Sequence, residues 1–154
     1  MLEYFLGKRT GRKNAVAGGM HPKTIELQDR TRRFAAGVIG FCSGLPQNVA
    51  CQRIIPQLID SSGSTDSNYR AACRARSKAE FIAKLGVAIE EADESKGWLQ
   101  LLVESGQTAA ERALPLIREA DELLSILIRS RKTAESRKAD QDRVDKQSSQ
   151  RQSR

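Results

Sequence analysis

The sequence has a single histidine, His21, and it contains no glycine-rich phosphate loop, no serine nucleophile elbow and no Cys-x-x-Cys pair. Histidine is the side chain best suited to proton transfer and metal binding near neutral pH. The glycine loops and nucleophile motifs mark common classes of phosphate- and ester-handling enzymes. The residues therefore predict a protein that is not an enzyme and that uses no cofactor or metal.

Long apolar runs are also missing. No stretch approaches the roughly 20 apolar residues of a membrane-spanning helix, and the opening MLEYFLGKRTGRKN lacks the features of a secretory signal. We therefore expect a cytoplasmic protein that does not bind a membrane. The three cysteines, Cys42, Cys51 and Cys73, are odd in number and widely spaced within helical patterns. They are predicted to be buried free thiols.

Aromatic residues make up only 5% of the chain, and most of the 39% that is hydrophobic consists of Leu, Ile and Ala. This composition favours helices packed on helices over a β-sandwich. A length of 154 residues fits one domain of ordinary size.

The net charge of +7 is concentrated at the two ends of the chain. Residues 1–24 carry a net +4 and residues 129–154 a net +5, whereas residues 25–128 carry a net −2. We predict a basic flexible N-terminal extension over 1–24, a helical bundle over 25–134, and a charged tail over 135–154 formed by a helix that frays into disorder.

The apolar spacing predicts two helices in the first half of the bundle. The first runs from about Ile25 to Leu45, with Thr24 as its N-cap and Pro46 ending it. The second begins near Asn48 and is bent by Pro56 unless that proline falls in its first turns. The polar run 61–68 indicates a break in this helix, either a loop or a kinked continuation.

Capping signals mark the two later helices. Ser77 and Glu80 have the spacing of a capping box, and the apolar stripe behind them continues to Gly106, a predicted C-cap. Thr108 and Glu111 offer a second box. Because Pro115 follows so closely, the last helix either starts near Leu114 or is kinked there. The four segments predict an all-α, antiparallel up-and-down four-helix bundle.

Basic and acidic residues alternate in blocks along the bundle. Basic residues predominate from Arg70 to Lys84, and acidic residues predominate from Glu90 to Glu94. Basic side chains bind nucleic acid mainly through its phosphates. The candidate contacts are Arg30, Arg32, Arg33, Arg53, Arg70, Arg74, Arg76, Lys78 and Lys84. Pairing of these side chains with the acidic block of another subunit is the alternative.

Three segments carry a resemblance to a known family: RTRRFAAGVIGFCSGLP, QLIDSSGSTDSNYRAACRARSKAEFIAKLGVAIEEADESKGWLQLL and LPLIREADELLSILIRSRKTA. Over about residues 25–134 the chain resembles the four-helix-bundle proteins of the 23S rRNA intervening-sequence family. The resemblance implies four antiparallel helices and, as in relatives, a homopentamer with a tapered central channel. One relative, the accessory variability determinant of diversity-generating retroelements, works with a reverse transcriptase and binds nucleic acid through basic surface.

The family motifs match this chain at particular positions. The segment Asn68-Tyr69-Arg70 matches the family's NYR, and Arg74, Arg76 and Ser77 match its RARS. The sequence departs from the family pattern at three places, which add negative charge and a bend beside the basic block: Pro56, Asp60 and Thr65-Asp66.

Two functions follow as hypotheses. The first is a non-enzymatic oligomer that binds RNA or DNA through the basic block. The second is a protein-interaction scaffold or accessory subunit, for example for a reverse transcriptase, that does not itself bind nucleic acid.

Overall fold

The computed structural model describes residues 21–152, with side chains described for 21–140 and Arg143. It contains four helices: α1 (Pro22–Cys42), α2 (Val49–Cys73), α3 (Lys78–Glu104) and α4 (Ala110–Gln152). Consecutive helices pack against each other, and α4 closes back on α1 through the least extensive contact. The predicted all-α antiparallel four-helix bundle is confirmed. Within the described range, no helix has both the length and the apolarity to span a bilayer.

The first helix begins three residues earlier than its predicted start. His21 is the N-cap, its Nδ1 accepting a hydrogen bond from the Lys23 amide at 3.3 Å, and Pro22 occupies the first helical position. Proline suits that position because its missing N–H would have no partner there. Thr24 was wrongly predicted as the cap and is instead buried within the helix. α1 also ends at Cys42, before Leu45.

α2 is continuous from Val49 to Cys73, so of the two alternatives for 61–68 the loop is wrong and the helix continues through the run. Asn48 caps the start of the helix by accepting from the Cys51 amide at 2.9 Å. The buried hydroxyls of the polar run donate to backbone carbonyls three or four residues earlier; these residues are Ser61, Ser62 and Thr65. This bonding satisfies them inside the helix, and packing overrides their weak helix propensity.

Small side chains fill the interface between α2 and α3 at its centre. The hydroxyl oxygens of Ser61 and Ser95 lie 2.9 Å apart, and both residues are at most 1% exposed. Their small volume lets the two helices approach closely, and α2 and α3 share the most extensive contact in the bundle. A run that looks like a loop in the sequence is thus part of the core.

The capping of α3 largely follows the prediction. The Ser77 hydroxyl accepts from the Glu80 amide at 3.1 Å, while the Glu80 carboxylate accepts from the Arg76 amide at 2.9 Å instead of that of Ser77. At the other end, Gly106 has a φ of 71°. The Gly106 and Gln107 amides bond back to the last turn, which is the Schellman pattern of a glycine C-cap.

α4 begins at Ala110 and continues through Pro115, which is exposed, as one helix. The second capping box does not form, because the Thr108 hydroxyl is buried with no hydrogen-bond partner among the described residues. Ala134 is the last buried hydrophobic residue among the side chains described, but the helix continues to Gln152, across most of the predicted tail. The division at 24 and 134 stays a prediction, and residues 1–20 of the extension lie outside the described range.

The core is formed by the apolar stripes of all four helices. Phe34 and Val38 of α1, Leu58 of α2, Leu85 of α3 and Leu123 of α4 are each at most 2% exposed. The three cysteines are buried, and none forms a disulfide. The prediction of free, buried thiols is confirmed.

Candidate nucleic-acid interface

Four of the candidate basic residues meet where α2 turns into α3. Arg70 lies in the last turn of α2, Arg74 is its C-cap, Arg76 lies in the connection, and Lys78 is the first residue of α3. We call these four residues the α2–α3 corner. Lys84 lies about two turns further along α3. The local sequence brings these charges together because only four residues connect the two helices.

Ion pairs at the corner are few and long. Arg70 Nη1 lies 3.9 Å from the nearer Asp66 oxygen, and Arg76 Nε lies 3.6 Å from Glu80 Oε2. Exposed pairs of this kind contribute little to stability and exchange easily with other anions. The side chains of Arg74, Lys78 and Lys84 form no hydrogen bond or ion pair with any described residue. Their charges are therefore available to a ligand.

Helix ends also shape the electrostatics of the corner. The carbonyl end of α2 carries a partial negative charge, which favours the positively charged Arg70 and Arg74 at this position. The amide end of α3 carries a partial positive charge and reinforces Lys78. The corner thus attracts anions on its α3 side.

Arg30 on α1 has a different environment. Its guanidinium donates through Nε and Nη2 to the two Glu119 oxygens at 2.9 and 2.8 Å, and through Nη2 to Glu122 at 2.7 Å. The hydrogen bonds to Glu119, followed by those to Glu122, raise the pKa of Arg30 above its ordinary value despite partial burial. Arg30 joins α1 to α4, and its charge is already neutralised.

The other α1 candidates also have local partners, although both are exposed. Arg32 Nη2 lies 2.6 Å from the Asp29 carboxylate, and Arg33 Nε donates to the Asp29 carbonyl at 3.3 Å. Their positions in the middle of α1 are outside the corner. They remain exposed basic residues of the bundle surface.

Arg53 lies at the opposite end of α2 from the corner. Arg53 and Arg70 are 17 positions apart, which corresponds to roughly 25 Å of helix. Arg53 is exposed and forms no ion pair with a described residue. A ligand of small size cannot bridge Arg53 and the corner.

The sequence reasoning missed a contribution from α4. Gly86 of α3 lies beside Arg131 of α4, because a Cβ built on Gly86 would be 3.2 Å from Arg131 Nη1. Ten residues further along α3, Lys96 bonds to Asp121, which is ten residues before Arg131 on α4. The two helices are therefore antiparallel, and the same alignment places Lys78 level with Ala139 of α4. Arg137 and Lys138 therefore lie at the same end of the bundle as the corner. The position of Arg137 and Lys138 follows only from the pairing of α3 with α4. The stripe that continues through Ser130 and Ala134 was a signal in the sequence that α4 reaches this end of the bundle.

The acidic block lies further along α3. Glu90, Asp93 and Glu94 are exposed, and Glu91 is half-buried. Burial, and then the nearby charges of Glu94, Glu90 and Asp60, raise the pKa of Glu91. None of these carboxylates pairs with a corner residue in the described part of the chain. Among the residues from 21 onward that are described, no group of carboxylate, thiol and imidazole side chains is arranged to hold a metal ion.

Comparison with known proteins identifies the family. The model of the 23S rRNA-intervening sequence protein family matches residues 23–129, which include α1 except for its first residue, all of α2 and α3, and α4 as far as Arg129. The chain belongs to this family. The family resemblance inferred from the sequence motifs is therefore confirmed.

A solved structure supports the same assignment. The chain is similar to a protein of unknown function from the S23 ribosomal protein family of Bacteroides thetaiotaomicron VPI-5482, whose crystal structure was determined at 1.70 Å. The two share 28% identity with a TM-score of 0.65, and the match covers 71% of this chain and 98% of the other. No curated protein matches the chain.

Proposed function

We propose that this family member is a non-enzymatic protein that binds the phosphate backbone of RNA or DNA at the α2–α3 corner. The observation that supports the proposal is the position of Arg74 and Lys78. Both charges lie beside Arg70 and Arg76, and neither has a partner among the described residues. Arg137 and Lys138 extend the same basic end onto α4.

Phosphate contacts have a recognisable binding signature. Each neutralised phosphate releases bound counterions, so the logarithm of the affinity falls linearly with the logarithm of salt concentration. Such contacts position the protein without reading base sequence. We therefore expect strong salt dependence and little preference among sequences.

The experiment measures fluorescence anisotropy of labelled RNA and DNA with the full chain across a salt series. Changing Arg74 and Lys78 together to Glu is expected to weaken binding at low salt and to reduce the salt slope by about 2, one unit per lost contact. The matched control changes Arg53 and Arg118 to Glu, which alters the net charge equally at a distance from the corner. Equal losses in both variants would overturn the corner assignment, and absence of binding by the unchanged chain would overturn the function.

Self-association is part of this proposal. Repeating the corner around a ring of five copies would multiply the phosphate contacts, and this is the assembly expected from the family resemblance. Light scattering should then give five times the 17.0 kDa of one chain. A monomer at micromolar concentration would contradict the proposed assembly while leaving the corner to be tested separately.

A further inference from the structure

α3 has two heptad-spaced seams, and only one of them is in the core. The buried seam consists of Phe81, Leu85, Ala88, Ala92, Ser95, Leu99 and Leu102. A second set with the same alternating spacing is exposed or half-buried, and its members are Lys84, Val87, Glu91, Glu94, Trp98 and Leu101. Spacings of three and four residues place this set on one face of the helix. We call it the outer seam.

The outer seam lies on the side of α3 that borders α2. Ser95 contacts Ser61 of α2, whereas Lys96 bonds to Asp121 of α4. At 3.6 residues per turn, the outer-seam positions lie beyond Ser95 on the side away from Lys96. The influence of Asp60 of α2 on the pKa of Glu91 agrees with this placement.

Beyond Lys84, apolar groups of the outer seam lie on both sides of its glutamates. The exposed fraction is 36% for Val87 and 42% for Leu101. The 14 residues that separate them correspond to about 21 Å of helix. Trp98 is half-buried next to Leu101, and its indole Nε1 donates to Glu94 Oε1 at 3.0 Å. A half-exposed tryptophan is a typical anchor of protein interfaces, and Leu101 adds apolar surface beside it.

Carboxylates fill the space between these anchors. Glu90, Glu91 and Glu94 of α3 face the same region as Asp60 of α2, and none of the four forms an ion pair within the described chain. Burial, and then the repulsion from Glu94, Glu90 and Asp60, raises the pKa of Glu91. A cation placed among these carboxylates would relieve their repulsion.

We propose that the outer seam is a docking surface for a basic amphipathic α-helix of a partner protein. Its apolar side chains pack on Val87, Trp98 and Leu101, and its Lys or Arg side chains pair with the carboxylates between them. Helix-in-groove recognition uses anchors at this spacing, and charge complementarity fixes the register and speeds association. The carboxylates of the seam repel phosphates, and the seam contains none of the four corner residues, so this function is separate from nucleic-acid binding at the corner.

Trp98 provides a direct reporter, because it is the only tryptophan of the chain. The experiment adds to the full chain a synthetic 18-residue helical peptide of Leu, Lys and Ala, with Leu on one face and Lys flanking it. We expect saturable binding with a shift of the Trp98 emission to shorter wavelength as the indole loses water. The control peptide has the same composition in an order that distributes Leu and Lys around the helix. Equal binding of both peptides would overturn the proposal.

Variants separate docking from non-specific attraction. Leu101→Gln, and Glu91→Gln combined with Glu94→Gln, are each expected to weaken peptide binding about tenfold or more, which corresponds to ~1.4 kcal/mol. Ile39→Gln is the matched control, because Ile39 is 52% exposed and lies on α1, outside the seam. Peptide binding unaffected by either seam variant would overturn the site.

Two further readouts identify other occupants. If Leu101→Gln converts an oligomer into monomers in light scattering, the seam is filled by a second copy of this chain and the partner-helix proposal is wrong. The seam variants are expected to keep the nucleic-acid affinity of the unchanged chain. Loss of that affinity would instead assign the seam to nucleic-acid binding and overturn the proposal.

Discussion

Arg112 at the start of α4 lies over the ring of Phe41 at the end of α1, with its Cζ 5.6 Å from the ring centroid. The same guanidinium donates from Nη1 to the Gly44 carbonyl at 2.7 Å. It therefore satisfies a carbonyl just beyond the C-terminus of α1, where the helix dipole also favours a positive charge. Arg112 thus connects α4 to α1, two helices that share less contact than consecutive helices do.

Replacing Arg112 with Met tests that contact. The change keeps an apolar stem and removes the charged hydrogen bond and the cation–π contact, so we expect the free energy of unfolding to fall by about 1–2 kcal/mol. Chemical denaturation measures the difference. Arg118→Met on the exposed face of α4 is the control and should change stability by less than about 0.5 kcal/mol.

Gly44→Ala probes the same contact from the other side. An added Cβ would lie 1.9 Å from Arg112 Nη2, so the guanidinium must move. The substitution should therefore cost more in the unchanged chain than in the Arg112→Met background, with a coupling above about 0.5 kcal/mol. Additive effects would show that Arg112 does not hold Gly44 in solution.

Replacing Gly63 and Gly106 with alanine is expected to change the stability of the protein in opposite directions. Gly63 lies inside α2 with open space around it, so Gly63→Ala should stabilise the protein by about 0.5–1 kcal/mol through helix propensity. Gly106 has a φ of 71°, so Gly106→Ala should destabilise it by about 1 kcal/mol. Thermal melting of both variants measures this. Destabilisation by Gly63→Ala would contradict a continuous helix through 61–68.

Glu91→Gln is expected to raise stability in a pH-dependent way. The pKa of Glu91 is raised in the folded protein by burial and by neighbouring carboxylates. The folded state thus binds this proton more tightly than the unfolded state does, and stability falls as the pH rises from the ordinary glutamate pKa of 4.5 through the raised value. The variant should therefore melt higher than the unchanged chain at pH 7 and lose that advantage below pH 4.5. An advantage that persists in acid would contradict this cause.

Substitutions of Arg30 and Arg74 are expected to affect different properties, the first stability and the second nucleic-acid binding. Arg30→Gln breaks the pairing with Glu119 and should lower the free energy of unfolding by about 1 kcal/mol without changing nucleic-acid affinity. Arg74→Gln should weaken nucleic-acid binding and leave stability nearly unchanged. Melting and salt-titrated anisotropy on both variants test this. Equal weakening of binding by the two substitutions would show that the corner is not the interface.

The sequence predicts the core well because helix periodicity is a local property. The stripe on α3 and the glycine cap that ends it appear in the structure as expected, and so does the serine half of the capping box. Serine and threonine cap helices or interrupt them when they face water, but the buried hydroxyls of Ser61, Ser62 and Thr65 bond within the helix, so 61–68 does not form a loop. Neither predicted threonine cap forms, because Thr24 is buried within α1 and the Thr108 hydroxyl is buried without a partner among the described residues.

The candidate interface was predictable only in part. Residues 70–78 are neighbours in the chain, so their clustering follows from the sequence. The pairing of Arg30 with Glu119, and the position of Arg137 at the same end of the bundle as the corner, depend on how helices distant in the sequence align. Local sequence patterns do not specify that alignment.

The unequal contacts around the bundle also determine where it opens. α2 and α3 form a local hairpin with the most extensive packing, while α1 and α4 share much less contact, which includes the hydrogen bonds of Arg30 and Arg112. Local unfolding follows the lowest density of buried contacts. We therefore expect amide hydrogens between α1 and α4 to exchange with solvent ahead of those in the α2–α3 hairpin.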